Sequence, residues 1–250
     1  MIISVYAYKC SNAYLIMMWI RPVWSTFTDM DIKSVTDLLK GTLDPNLRNE
    51  AEKELTKVHK IIGFGPVLLQ VIMSGEVELP TRQAAVIYLK NMVSGSWVDR
   101  EPDTPGAPIP FSVHEQDRAL IRDNVIEAVV RAPDIIRIQL GVCVSQIVKH
   151  DFPGRWPQIV DKVSIYLQNP DPAGWLGSLL CLYQLVKNYE YKKSEERAPL
   201  KDAMNLLLPQ LYTIITQLVS DDRLEQTNIS FTFLTSHFPA KTPCLSRSKS

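Results

Sequence analysis

Helix-start signals recur along this chain at a spacing that few folds accommodate. Amphipathic segments open near Met30, Asp44-Pro45, Phe64, Pro80, Glu115, Pro133, Trp156, Pro172 and Ser194. Every second start falls near 30, 64, 115, 156 and 194, giving steps of roughly 34, 51, 41 and 38 residues, the second inflated by one long loop. A period of about 40 residues indicates stacked helix pairs, none of which can bury its apolar face without its neighbours.

Each segment carries a stripe at helical spacing. Ala85, Leu89 and Met92 line one face of the segment begun by Pro80. Leu47, Ala51, Leu55 and Val58 do the same earlier, and Ile136, Leu140, Cys143 and Ile147 later. Met204, Leu208, Leu211, Ile215 and Leu218 extend the pattern over about four turns. No stretch alternates with period two between turn residues, so strands are not expected. The pattern predicts an all-α, HEAT/armadillo-like helical-repeat solenoid.

Cap chemistry supports the boundaries. Asp44-Pro45 and Asp171-Pro172 pair an N-cap carboxylate with a proline whose missing N–H costs nothing in a first helical turn, and Ser112 with Glu115 has capping-box spacing. Between Trp97 and Glu115, four prolines and Gly106 interrupt the helices. That segment predicts a surface loop, either a plain connector or a partner-contacting edge.

Composition narrows the class. A formal net charge of +0 gives no electrostatic reason to expect nucleic acid. Cys10, Cys143, Cys181 and Cys244 lie far apart, so neither a disulfide framework nor a zinc site emerges, and Cys143 and Cys181 read as small core residues. The apolar run from Ala13 to Ile20 is about half the length a bilayer requires. Residues 1–29 read as an atypical leader outside the fold, residues 30–225 as the repeats, and residues 226–250, with Ser246-Arg247-Ser248-Lys249-Ser250, as a divergent mobile tail. The leader has the character of an alternative start and the tail of an alternative end.

Enzyme chemistry finds no foothold. There is no phosphate loop, nucleophile elbow or paired-histidine zinc helix, and Gly63-Phe64-Gly65 lacks the third glycine and the strand that a dinucleotide site needs. His59, His114, His150 and His237 fall on different elements. No catalytic residue, metal or cofactor is assigned. Trp97, Trp156 and Trp175 read as corner residues whose rings pack while their N–H groups find carbonyls, and Asp151 as the cap of the following turn.

Three segments carry a family resemblance. Pro80-Thr81-Arg82-Gln83-Ala84-Ala85, running on to Leu89-Lys90-Asn91 and Trp97, resembles the importin-β N-terminal signature. Asp151-Phe152-Pro153-Gly154-Arg155-Trp156-Pro157 is similar to that family's later Asp-x-Pro-x-x-Trp-Pro corner, and Trp175 to Lys193 looks like its importin seven and importin eight subgroup. The motifs stand in family order over roughly residues 30 to 225.

The resemblance implies a nuclear import receptor whose N-terminal repeats bind the small GTPase Ran in its GTP form. Nucleoporins would be a further partner, and this part of the chain would contribute little cargo contact. It implies residence in cytoplasm and nucleus, including the nuclear envelope, with no membrane insertion. The helices from Pro45, Pro80, Pro133 and Pro172 would form the GTPase-facing set. Arg82, Gln83, Lys90 and Asn91 are the contact candidates; their structural alternatives are bonds between repeats for the first two and caps on the last carbonyls of their helix for the others. The competing functional readings are a generic HEAT scaffold and a shortened isoform with little activity of its own.

Overall fold

The computed structural model describes residues 31–102, 104–169 and 174–220. These form nine α-helices: α1 (Ile32–Gly41), α2 (Arg48–Val58), α3 (Phe64–Met73), α4 (Leu79–Ser96), α5 (Glu115–Arg131), α6 (Asp134–Asp151), α7 (Ile159–Leu167), α8 (Trp175–Lys187) and α9 (Ala198–Ser220). A 3₁₀ turn, Glu195–Arg197, precedes α9. Among the described residues there is no strand, and no helix is long and apolar enough to cross a membrane. The expected leader, the tail and the Asp171-Pro172 entry lie outside the described residues.

The chain divides into two compact units, before and after the His150–Asp151 junction. In the first, α1 packs on α2, and α3 on α4. The first helices of successive pairs also stack, α1 on α3 and α3 on α5. In the second, α7 packs on both α8 and α9. Helix pairs whose first members stack in sequence order are the solenoid arrangement that the 40-residue period predicts.

The core follows the stripes closely in the middle of the chain. Ala85 and Leu89 are buried, with Val86 and Val93 beside them, as are Ile136, Leu140, Cys143 and Ile147 on α6. Burial pushes the Cys143 thiol up to about 12 and raises the Cys181 thiol as well, so both are neutral small packing residues at physiological pH.

Several boundaries differ from expectation. Asp44-Pro45 sits one turn ahead of α2: the Asp44 carboxylate accepts from the Asn46 N–H at 2.8 Å and its carbonyl from Arg48, so the pair builds a turn rather than the cap. Leu47, left at the frayed entry, is exposed. Helix α5 is capped by His114, whose Nδ1 accepts from the Gln116 N–H, and not by Ser112; Glu115 turns instead to the guanidinium groups of Arg118 and Arg122. Helix α7 opens at Ile159, three residues after Trp156, and α9 at Ala198 after the 3₁₀ turn.

The register of α9 is also shifted. Its buried line is Ala203, Leu207 and Ile214, while Leu208 and Ile215 stand exposed and Met204, Leu211 and Leu218 are half-buried. The expected core stripe therefore straddles the edge between the covered and uncovered sides of the helix.

Two features fix the corners. Gly63 adopts a left-handed backbone, φ +97°, at the entry to α3, and its N–H is held by both oxygens of Asp117 at 2.8 and 2.9 Å. Glycine suits that conformation, and Asp117 supplies from α5 the cap that α3 lacks locally. At the second corner, the Asp151 carbonyl accepts from the N–H groups of Arg155 and Trp156, and its carboxylate pairs with Arg155 at 2.8 Å. The turn is thus closed by the Asp151 backbone, and the side chain serves as an ion-pair partner of Arg155 rather than as the expected cap. Trp175 donates its indole N–H to the Asn169 carbonyl at 2.9 Å, as expected, whereas the buried Trp156 N–H meets no acceptor among the described residues.

Candidate protein-binding surface

Helix α4 sorts its residues by 3.6-residue periodicity into a core side and a free side. Pro80 lies within its first turn, where no intrahelical partner for an N–H is needed, and Glu78 provides the carbonyl that receives the Arg82 N–H. With Ala85, Leu89, Met92 and Val93 turned inward, the opposite line presents Gln83, Ile87 and Asn91.

The four expected contact residues therefore separate. Gln83 and Asn91 fall on the free line, Gln83 half-buried and Asn91 exposed. Arg82 is turned back, its Nε donating to the Ile72 carbonyl at 2.7 Å, and so clamps the exposed end of α3 to α4. Lys90 is half-buried, close enough to α6 that its charge opposes the burial-driven rise of the Cys143 thiol. The expected alternative in which Lys90 and Asn91 cap the last carbonyls does not hold, because α4 continues to Ser96.

Helix α6 adds apolar residues that the sequence reading did not single out. Ile135, Ile138 and Val142 are 50%, 56% and 37% exposed, spaced by three and four residues, while the buried stripe runs beside them. The available signal was a helix apolar on more than one face. An uncharged ridge of this kind suits a protein partner and gives no purchase to phosphate.

The loop after α4 is pinned at both ends. Trp97 and Val113 are buried, the Val113 N–H donates to the Ser96 carbonyl at 2.8 Å, and Asp99 pairs at 2.5 Å with the buried Arg118. Gly106, φ +90°, turns the tip, where the Ala107 N–H meets the Thr104 carbonyl. Ile109 is 80% exposed, and Phe111 sets its ring edge-on against His59 at 4.8 Å. Between the loop and α4 lies a pocket of about 210 Å³ lined by His59, Tyr88, Asn91, Met92, Ser96 and Phe111. Tyr88 donates to the Leu55 carbonyl and stands 3.3 Å from His59 Nδ1.

Partial burial, reinforced by the charge of Lys60, lowers the His59 pKa below 6.5. The unfolded imidazole then binds its proton first as the pH falls, so the stability contributed by neutral His59 is complete at neutral pH and is lost on descending through about 6.5 toward the folded value. Amide exchange at Val113 should speed up beyond the intrinsic trend between about pH 7.5 and 5.5, and His59→Gln should remove that excess. Identical profiles for the two proteins would show that His59 does not hold the loop.

These helices coincide with a known domain. Residues 51–131 match the Importin-beta N-terminal domain family, a span that begins inside α2 and ends with α5. Importin-8 of Danio rerio is 58% identical over 192 residues, 77% of this chain. This chain belongs to the importin-β family. It spans 19% of the length of that relative. Importin-β family folds recur among solved structures: the exportin Cse1 in its cargo-free, cytoplasmic state superposes with a TM-score of 0.67 at 23% identity, over 75% of this chain and 20% of that one. A Kap95p structure, described as inducing the switch loops of RanGDP to adopt the GTP-bound conformation, gives 0.50 at 18% identity over 83% and 27%. At such identities the likeness concerns the fold.

Proposed function

We propose that this chain is the GTPase-facing end of a nuclear transport receptor, binding Ran in its GTP form. The observation that carries the reading is the importin-β N-terminal match over residues 51–131, which contains all of α4 and its free line. Helices α2 and α4, the second members of their pairs, form the GTPase-facing set together with α6. Gln83, Ile87 and Asn91 meet the GTPase on α4, and Ile135, Ile138 and Val142 meet it on α6. Lys90 adds charge at the seam, and Arg82 keeps α4 in register. Binding of this kind has no catalytic step in the receptor. The setting is shuttling between cytoplasm and nucleus, with nucleoporins at the nuclear envelope as further partners and little cargo contact.

The test is a pull-down of the chain with Ran loaded with a non-hydrolysable GTP analogue and, in parallel, with GDP. Capture of the GTP form alone supports the reading; equal capture of both forms favours a generic HEAT scaffold, and none from a folded, helical sample a shortened form with little activity. Lys90→Glu and Asn91→Ala should each weaken capture about fivefold or more without lowering Tm, since neither side chain is deeply buried. A fall in Tm with unchanged capture would assign both residues to packing.

A further inference from the structure

The tip of the loop after α4 presents an accessible hydroxyl. Thr104 is exposed, and its side chain has no hydrogen-bond partner among the described residues. Its carbonyl accepts from the Ala107 N–H at 3.0 Å across Pro105 and Gly106, the type II turn that a Pro-Gly pair favours. The loop is held on one side by the Asp99–Arg118 pair and on the other by the Val113–Ser96 hydrogen bond. Between those two pins, among the described residues, the turn bond is the one backbone hydrogen bond.

Opening the turn therefore gives up that bond and little else. Proline holds a φ that extended backbone also uses, and Gly106, at φ +90°, has no Cβ to obstruct its swing to an extended geometry. The tip can lie extended in an enzyme's cleft while both ends of the loop stay fixed.

The flanking residues define the enzyme. Pro105 follows Thr104 directly, and proline lacks the N–H that any other residue would bury unpaired in a cleft shaped for its ring. No Asp or Glu occurs from Pro105 to Phe111, and the nearest base, Arg100, stands four residues upstream, so an acid-directed or base-directed kinase finds little to read. Pro102, Pro105 and Pro108 recur at steps of three, but the left-handed Gly106 interrupts the edge they would share in a polyproline helix.

We propose that Thr104 is a phosphorylation site for a proline-directed protein kinase. With Mg²⁺–ATP as co-substrate, Thr104 Oγ1 attacks the γ-phosphorus, and its hydroxyl proton passes to a base of the kinase and then to solvent. The bond from the γ-phosphorus to the β,γ-bridging oxygen breaks, and ADP leaves with that electron pair. The product is a phosphate monoester carrying about −1.5 to −2 charge at pH 7. It makes anionic a loop edge that carries no charge from Thr104 to Phe111.

The test incubates the folded full chain with a purified cyclin-dependent kinase and Mg²⁺–ATP, locating phosphate by peptide mass spectrometry, with the cAMP-dependent kinase as a base-directed control. No GTPase is present, so the outcome is independent of Ran binding. Thr242-Pro243, outside the described residues, is the other Thr-Pro pair of the chain, and Thr242→Ala supplies the background in which Thr104 is followed. Phosphate should appear at Thr104 with the first enzyme and not with the second. Pro105→Ala, which keeps the hydroxyl, should slow incorporation about ten- to a hundredfold, the effect of burying an unpaired N–H, at unchanged Tm. Four results would each overturn the assignment: no phosphate at Thr104 while the enzyme labels its reference peptide, phosphate there only after thermal unfolding, equal labelling by both kinases, or an unchanged rate in Pro105→Ala.

Discussion

Trp97→Ala should lower the stability of the chain by about 3–5 kcal/mol, read as a fall in the denaturant midpoint at unchanged slope. The indole is 2% exposed and sits where α4 ends and the loop begins. Truncation to a methyl leaves a void between elements that cannot collapse freely, because the loop is also tied by the Val113–Ser96 hydrogen bond and the Asp99–Arg118 pair. Against a total stability of about 5–15 kcal/mol, that loss leaves little margin. Trp97→Phe should recover about half of it. Ile87→Ala, on the free line of the same helix, should change the midpoint by less than about 0.5 kcal/mol. Equal effects at positions 87 and 97 would contradict the division of α4 into core and free sides.

The second large effect concerns α9. Leu208, Tyr212 and Ile215 are 52%, 74% and 56% exposed, and from Ala203 to Ser220 the chain carries no charged residue. A neutral apolar face has no like-charge repulsion to keep copies apart, so the mass measured by light scattering should rise with concentration over about 10–200 μM. Replacing all three residues by lysine should give a monomer at every concentration, with helix content retained because none of them faces α7. A wild-type chain that stays monodisperse and monomeric throughout would remove the argument.

What could be read from the sequence depended on how local the determinants were. The α4 and α6 faces were legible because a proline or Pro-Asp start fixes the phase and the apolar residues then recur at steps of three and four. The α9 phase was not, because Leu206-Leu207-Leu208 allows two stripes one residue apart, and only packing on α7 chooses Leu207 over Leu208. The α5 cap was misplaced because Ser112 is the better intrinsic cap, yet the buried Val113 fixes the entry and leaves His114 at the helix start. Of the contact candidates, Asn91 was singled out by its motif, whereas the pocket beside it required Phe111 to fold back on His59, a contact that no periodicity encodes.

The carboxylate that holds Gly63 lies 54 residues further along the chain. During synthesis, the second hairpin therefore emerges before the group that locks its first turn exists. Until α5 has left the ribosome, the N–H of Gly63 lacks the carboxylate that caps the start of α3. The entry to α3 is thus ratified by the following pair, and a nascent chain stalled before Asp117 would hold α3 and α4 in a frayed, protease-accessible state that one further helix converts to the final one.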